Sequence, residues 1–325
     1  MSDKIKRFSV YYYVLIIFKV SLFVLFVFIN TKTYSSTTKL RPDIDRFSDI
    51  VLMGQFNYIN NNISTWSDTW SQFFKNIVIA APQDTPKQEL KLGNYMFYES
   101  DKGYFSPYVN MARVIKENEG IRGLLYVHDD LLISGSILRK IGGTEWILTD
   151  YDKSDNLIKV YQNGSFISNN RQIFSGHKYF RKAWPAWKQC HGNLTNMFDD
   201  QRITPYLSEP KSANPYLTAR FGPSDMLYTF FSSTEHKNAY LEIMDMFTEH
   251  DLFLECAIPT AVSMMNERFG IKVHSAVLCT DWHNLRGNAK MIKKCVKEGR
   301  YEVFHPIKIS QHRNWRNYFD YLIKL

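Results

Sequence analysis

Cysteine is scarce in this 325-residue chain. There are four, at positions 190, 256, 279 and 295, and no two share a C-x-x-C spacing, so a cysteine-built zinc module is excluded. Internal repeats and low-complexity tracts are absent as well. Long disorder is not expected, because 45% of residues are hydrophobic and 22% charged, an ordinary balance for a packed protein. The long middle of the chain is near neutral, its acids and bases in balance. The net +8 gathers at the ends: Lys4, Lys6 and Arg7 at the start, and a stretch from Leu285 onward with ten Lys or Arg against Glu298, Glu302 and Asp320. A basic tail of this kind is usually a solvated face, or it meets an anionic partner such as a phosphate or a lipid head group.

Aromatic residues, by contrast, are plentiful at 15%, enough for a large core or for surfaces that stack on sugars. Val10–Ile29 reads VYYYVLIIFKVSLFVLFVFI, about the length that crosses a bilayer as a helix. Basic residues precede it, so the N-terminus is expected to stay cytoplasmic and the bulk of the chain to be translocated. Lys19 opposes insertion by roughly 2.5–3.5 kcal/mol, and the flanking Phe, Leu, Ile and Val residues offset it. No small-x-small cleavage site follows, which favours an uncleaved anchor over a signal peptide. The expected organisation is a tail over 1–9, a membrane helix over 10–29, a stem over 30–46, and a lumenal domain over 47–325 with halves 47–135 and 136–325. In that compartment the four cysteines permit one or two disulfides, although Cys256, in an apolar run, also reads as a buried thiol. Asn62, Asn163 and Asn193 open N-x-Ser/Thr sequons at about the frequency that composition alone gives.

Within the domain, Asp49–Phe56 reads as a buried strand. A helix capped at Ser64 follows, with Trp66, Trp70, Phe73, Phe74 and Ile77 on one face as core. Asn76–Ala81 is a second strand. Ser106-Pro107 opens a second helix, which Gly120 ends, and Gly123–Val127 is a third strand. This alternation predicts an α/β fold with a mostly parallel sheet. Residues 143–180 read as short strands and loops, and Thr234–Glu249 as an amphipathic helix. Phe253–Thr260 follows that helix and is taken to carry Glu255 to a strand end.

His128-Asp129-Asp130 directly follows the apolar strand Leu124–Val127. Ligands of open α/β sheets bind beyond the carboxyl ends of strands, and carboxylates there hold a hard divalent cation that neutralises a diphosphate. Asp199-Asp200, a second acidic pair, has no strand before it.

The motif and the layout of the whole chain resemble those of GT-A glycosyltransferases, which use nucleotide-sugar donors through a DXD-type motif. Many of them are Golgi proteins with one N-terminal anchor. The likeness implies a Rossmann-type mixed sheet flanked by helices and a Mn²⁺ or Mg²⁺ ion at Asp130. It also implies donor contacts from His128 and Asp129, with His128 standing where the family has an acid. It further implies an acceptor-side base in the second half, either Glu255 or, after Gly222-Pro223-Ser224, Asp225. A late histidine, His305, would add a metal ligand, and Lys308 beside it a phosphate contact. Asp281-Trp282-His283 is a weaker polar cluster, and Trp184, Trp187 and Trp282 are candidates to stack on sugars. The expected partners are a nucleotide sugar, a glycan or glycoprotein acceptor and the membrane, and not nucleic acid. The alternative is a non-catalytic glycan- or partner-binding module on the same fold.

Overall fold

The structure is a computed structural model. It describes residues 44–56, 63–82, 96–100, 107–151, 193–194, 196–207, 220–221, 224–279, 289–307 and 315–324, with short strand pieces between 158 and 166. These residues belong to a compact unit spanning Pro42–Leu325. The apolar run Val10–Ile29 lies outside them, as do Asn62, Asn163, Trp184, Trp187, Cys190, the cluster 281–283 and Lys308. No helix among the described residues is long and apolar enough to cross a membrane.

The first described element is one 3-10 turn, Ile44–Phe47, whose Phe47 stacks on Phe74 with ring centroids 4.8 Å apart. The expected strands and helices follow, with one strand not foreseen, the third, set before the second helix: β1 (Ile50–Gln55), α1 (Ile63–Trp70), β2 (Asn76–Pro82), β3 (Met96–Ser100), α2 (Pro107–Glu117) and β4 (Gly123–His128). Next come β5 (Leu132–Ile133), α3 (Gly135–Lys140) and β6 (Trp146–Tyr151). Two small ribbons stand apart from the main sheet. One pairs β7 (Ile158–Lys159) with β10 (Arg220–Phe221), the other β8 (Tyr161–Gln162) with β9 (Ser165–Phe166). The rest is β11 (Met226–Phe230), α4 (Thr234–Glu249), α5 (Leu254–Phe269), β12 (Val273–Cys279), α6 (Ala289–Glu298), β13 (Val303–Phe304) and α7 (Trp315–Ile323).

One nine-stranded mixed sheet has the order β3-β2-β1-β4-β11-β6-β12-β13-β5. The strands β1 to β4 are mutually parallel, as are β6, β12 and β13, while β11 runs antiparallel between β4 and β6. Strands from before and after residue 135 therefore share one sheet. Only Asp129, Asp130 and Leu131 separate β4 from β5, yet these strands stand five places apart. Five inter-strand steps span about 24 Å, while four residue steps reach at most about 15 Å. The sheet must curl to bring β13 and β5 back to the carboxyl end of β4.

Side chains alternate across the sheet. One face, with Met53, Tyr126 and Leu227, packs under α2, α4 and α5. The other, with Leu52, Val127 and Tyr228, packs under α1, α3, α6 and α7. Trp66 and Trp70 of α1 are core as expected, but the helix ends at Trp70, so the buried Phe74 follows it and Ile77 lies in β2. Gly54 makes that packing feasible, because a Cβ there would collide with the Trp66 ring, and glycine inside a strand marks such close approach. Ser233 caps α4 by accepting from the His236 amide.

The region 253–260 departs from expectation. It is the first half of the 16-residue helix α5, so Glu255 sits in a first helical turn and not at a strand end. Asp200, of the second acidic pair, has a structural role: it caps the 3-10 helix Gln201–Tyr206 and binds Arg202.

The described cysteines form disulfides. Cys279 at the end of β12 is bonded to Cys295 of α6, and Cys256 is disulfide-bonded too, which removes the thiol alternative.

Candidate metal centre

In strand order the chain winds outward from β1 through β2 to β3, then crosses back to place β4 on the other side of β1. The crossing helices lie on opposite faces, α1 on one and α2 on the other. The carboxyl ends of β1 and β4 therefore form a topological switch point, where open α/β sheets bind ligands. Gln55 and His128 are register partners at those ends. The Asp129 amide donates to the Gln55 carbonyl at 3.0 Å.

Three chain segments converge there. His128 ends β4, and its amide donates to the Asp225 carbonyl at 3.0 Å, which sets Asp225 at the start of β11 beside it. The curl of the sheet supplies the third segment. The Ile307 amide donates to the Asp130 carbonyl at 2.6 Å, and the His305 amide to the Cys279 carbonyl at 3.1 Å. All four side chains are buried, His128, Asp130 and Asp225 at 8% exposure and His305 at 7%.

His305 stands between the two carboxylates. Its Nε2 is 2.9 Å from Asp130 Oδ1, and its Nδ1 is 3.4 Å from Asp225 Oδ1. On the far side of Asp225, His128 Nδ1 lies 3.7 Å from the same oxygen. One donor atom each from His128, Asp225 and His305 fall within 4.8 Å of one another. Ligands bound at about 2.1 Å to one ion stand 3–4 Å apart, so the set fits a metal ion. Asp130 approaches the other edge of the His305 ring, the place of the carboxylate that orients a ligating histidine.

The electrostatics favour positive charge between the acids. Burial lowers the pKa of His305, but Asp225 and Asp130 outweigh it and hold the ring at about 9. Burial dominates at His128 and lowers its pKa, with Asp225 opposing and His305 adding to the effect. The His305 proton partly satisfies the two carboxylates; a divalent cation would do so more fully, with both imidazoles neutral.

No family model and no curated protein matches this chain. The site therefore stands on its own geometry.

Of the residues singled out from sequence, His128, Asp130, Asp225 and His305 come together. Asp225, expected on the acceptor side, is grouped with the histidines. Asp129 lies in the turn between them, half-buried. Glu255 is close in the fold, because Ser224 Oγ donates to the carbonyl of the adjacent Leu254 at 3.2 Å. Asn193 uses its amide to bond the Asp251 carbonyl at 2.9 Å.

Sequence reading missed three residues. Gln55 and Asn110, both buried, meet at 3.5 Å. Tyr126 is fully buried with its ring 5.5 Å from that of His128, and its hydroxyl has no hydrogen-bond partner among the described residues. Burial, then Asp225 and Asp129, push its pKa far up, so it stays a neutral donor. Gln55 carried a signal, being the polar end of an apolar strand, whereas Tyr126 looked like core.

Proposed function

We propose that this chain is a metal-dependent glycosyltransferase of GT-A type. Val10–Ile29 would anchor it in a Golgi or ER membrane, with the C-terminal bulk lumenal. The observation that carries the reading is the buried His128–Asp225–His305 set at the β1/β4 switch point, with Asp130 behind His305. The disulfide Cys279–Cys295 supports an oxidising compartment.

We assign His128, Asp225 and His305 to hold the cation and Asp130 to orient His305. Two imidazoles among the donors favour Mn²⁺ over Mg²⁺, which prefers oxygen alone. When bound, the ion neutralises a nucleotide diphosphate and stabilises the leaving group. Asp129, at the rim, and Lys308 are the remaining donor-side candidates. With Asp225 committed to the cation, Glu255 is the residue left to take the proton of the acceptor hydroxyl.

The test uses the full chain in detergent, assayed with Mn²⁺ and UDP- or GDP-sugars for donor hydrolysis and transfer. A transferase hydrolyses its donor slowly. Glu255→Gln should lower transfer by about a hundredfold or more and leave donor affinity unchanged. Absence of turnover with every donor, alongside normal Mn²⁺ binding, would favour the non-catalytic binding module.

A further inference from the structure

The basic C-terminal stretch is not absorbed by the metal centre. Its core is α6. Met291, Ile292 and Cys295 are buried there, while Lys290, Lys293, Lys294 and Lys297 are exposed. Their spacing makes four like-charge pairs at i,i+3 and i,i+4, each of which weakens the helix. Lys290, in the first turn, also opposes the helix dipole. Folding does not favour this arrangement. The buried face and the disulfide hold the helix in spite of it.

Several cations elsewhere on the described surface are paired. Lys116 pairs with Asp245, Lys140 with Glu302, Arg122 with Asp49, and Arg202 with Asp200 and Glu249. The four α6 lysines have no ion pair or hydrogen bond among the described residues. They form a concentrated, unneutralised positive face.

Topology places that face. β12 and β13 are parallel neighbours, so α6, between them in the chain, runs back along the sheet toward the start of β13. The disulfide fixes Cys295 level with Cys279, the last residue of β12, at a Cα separation of 6.2 Å. The turn and a half before Cys295, with Lys290, Lys293 and Lys294, therefore project past the carboxyl ends of the strands. His128 and His305 lie at that same end, and the Cys279 carbonyl itself holds the His305 amide.

We propose that the lysine face of α6 is a docking surface for a polyanionic glycan, one bearing uronate or sulfate groups, delivered along the rim of the metal centre. Charge complementarity selects a polyanion. The disulfides place the protein where anionic polysaccharides occur and nucleic acids do not. That this glycan is the acceptor rests on the transferase reading; its binding does not.

The test compares two charge-matched variants of the full chain in detergent. One carries Lys290→Gln, Lys293→Gln, Lys294→Gln and Lys297→Gln. The control carries Lys75→Gln, Lys272→Gln, Arg316→Gln and Lys324→Gln, all exposed cations outside α6. Heparin is the probe and neutral dextran the blank. The α6 variant should lose heparin affinity by about tenfold or more and the control by about twofold at most. Both should keep native Mn²⁺ binding, and the α6 variant should melt no lower than the native chain. Equal losses in both variants, or heparin binding retained in the α6 variant, would overturn the proposal. So would tighter α6-dependent binding to phosphatidylserine vesicles or to a single-stranded oligonucleotide than to heparin. Loss of Mn²⁺ binding by the native chain would remove the transferase reading and leave the docking surface standing.

Discussion

Tyr126 separates packing from function at the scale of a single residue. A buried hydroxyl without a partner costs about 1–3 kcal/mol, and this one lies beside two carboxylates and an imidazole. If packing were its only role, Tyr126→Phe would be neutral or stabilising. Here the ring stands edge-on to that of His128, with centroids 5.5 Å apart. The variant should keep its melting temperature and lose about five- to tenfold in nucleotide affinity, as expected for one hydrogen bond. Unchanged nucleotide binding, read by calorimetry with Mn²⁺ present, would reduce Tyr126 to core. The limit of sequence reading is clear at this scale. His128 and Asp130 stood out because they end an apolar strand. Asp225 was legible as an acid but not as their neighbour, since only the antiparallel insertion of β11 next to β4 brings it there.

Among the elements, α5 was the hardest to read and the first-half strands the easiest. The latter are short apolar runs punctuated by turns and amphipathic helices. In α5 the run Cys256–Met265 is buried throughout, because it lies against both the sheet and its neighbour helices. Without a polar face there is no helical period to detect, and Pro259 argues against a helix by removing a donor. The disulfide pairing was equally hidden, since connectivity does not follow from spacing.

A polar tie at the opposite end of the sheet joins α3, β12 and the segment before β13. Glu302 accepts from Lys140 at 3.1 Å and from Ser136 at 3.2 Å, and lies 2.8 Å from His274. Burial alone would raise the Glu302 pKa, but His274 and Lys140 together hold it below its ordinary 4.5. A depressed folded pKa contributes stability that is complete above the ordinary value and is lost as pH falls through it toward the folded one. Glu302→Gln should therefore cost about 1–2 kcal/mol in urea at pH 7, the exposed Lys140 counting for little. That difference should shrink as the pH drops below 4.5. A penalty that persists undiminished at pH 3.5 would assign the loss to packing.

Taken whole, the molecule joins a sheet that winds outward from β1 to a curl that returns β13 to the same end. The first feature was legible in the strand–helix alternation. The second was not, because β5 and β13 are two-residue strands whose pairing spans most of the chain. The proposed membrane anchor belongs to this scale and has its own check. A C-terminal tag should resist protease in sealed microsomes and yield after detergent; cleavage in intact vesicles would reverse the topology. The central claim is that the buried histidines and Asp225 hold a divalent cation. Its most direct test is Mn²⁺ calorimetry on the full chain, with Asp225→Asn and His305→Gln beside Asp130→Asn. The native chain should show one site, the first two variants no measurable binding, and the third a loss of about 10–100-fold. Native Mn²⁺ affinity in Asp225→Asn and His305→Gln would contradict it.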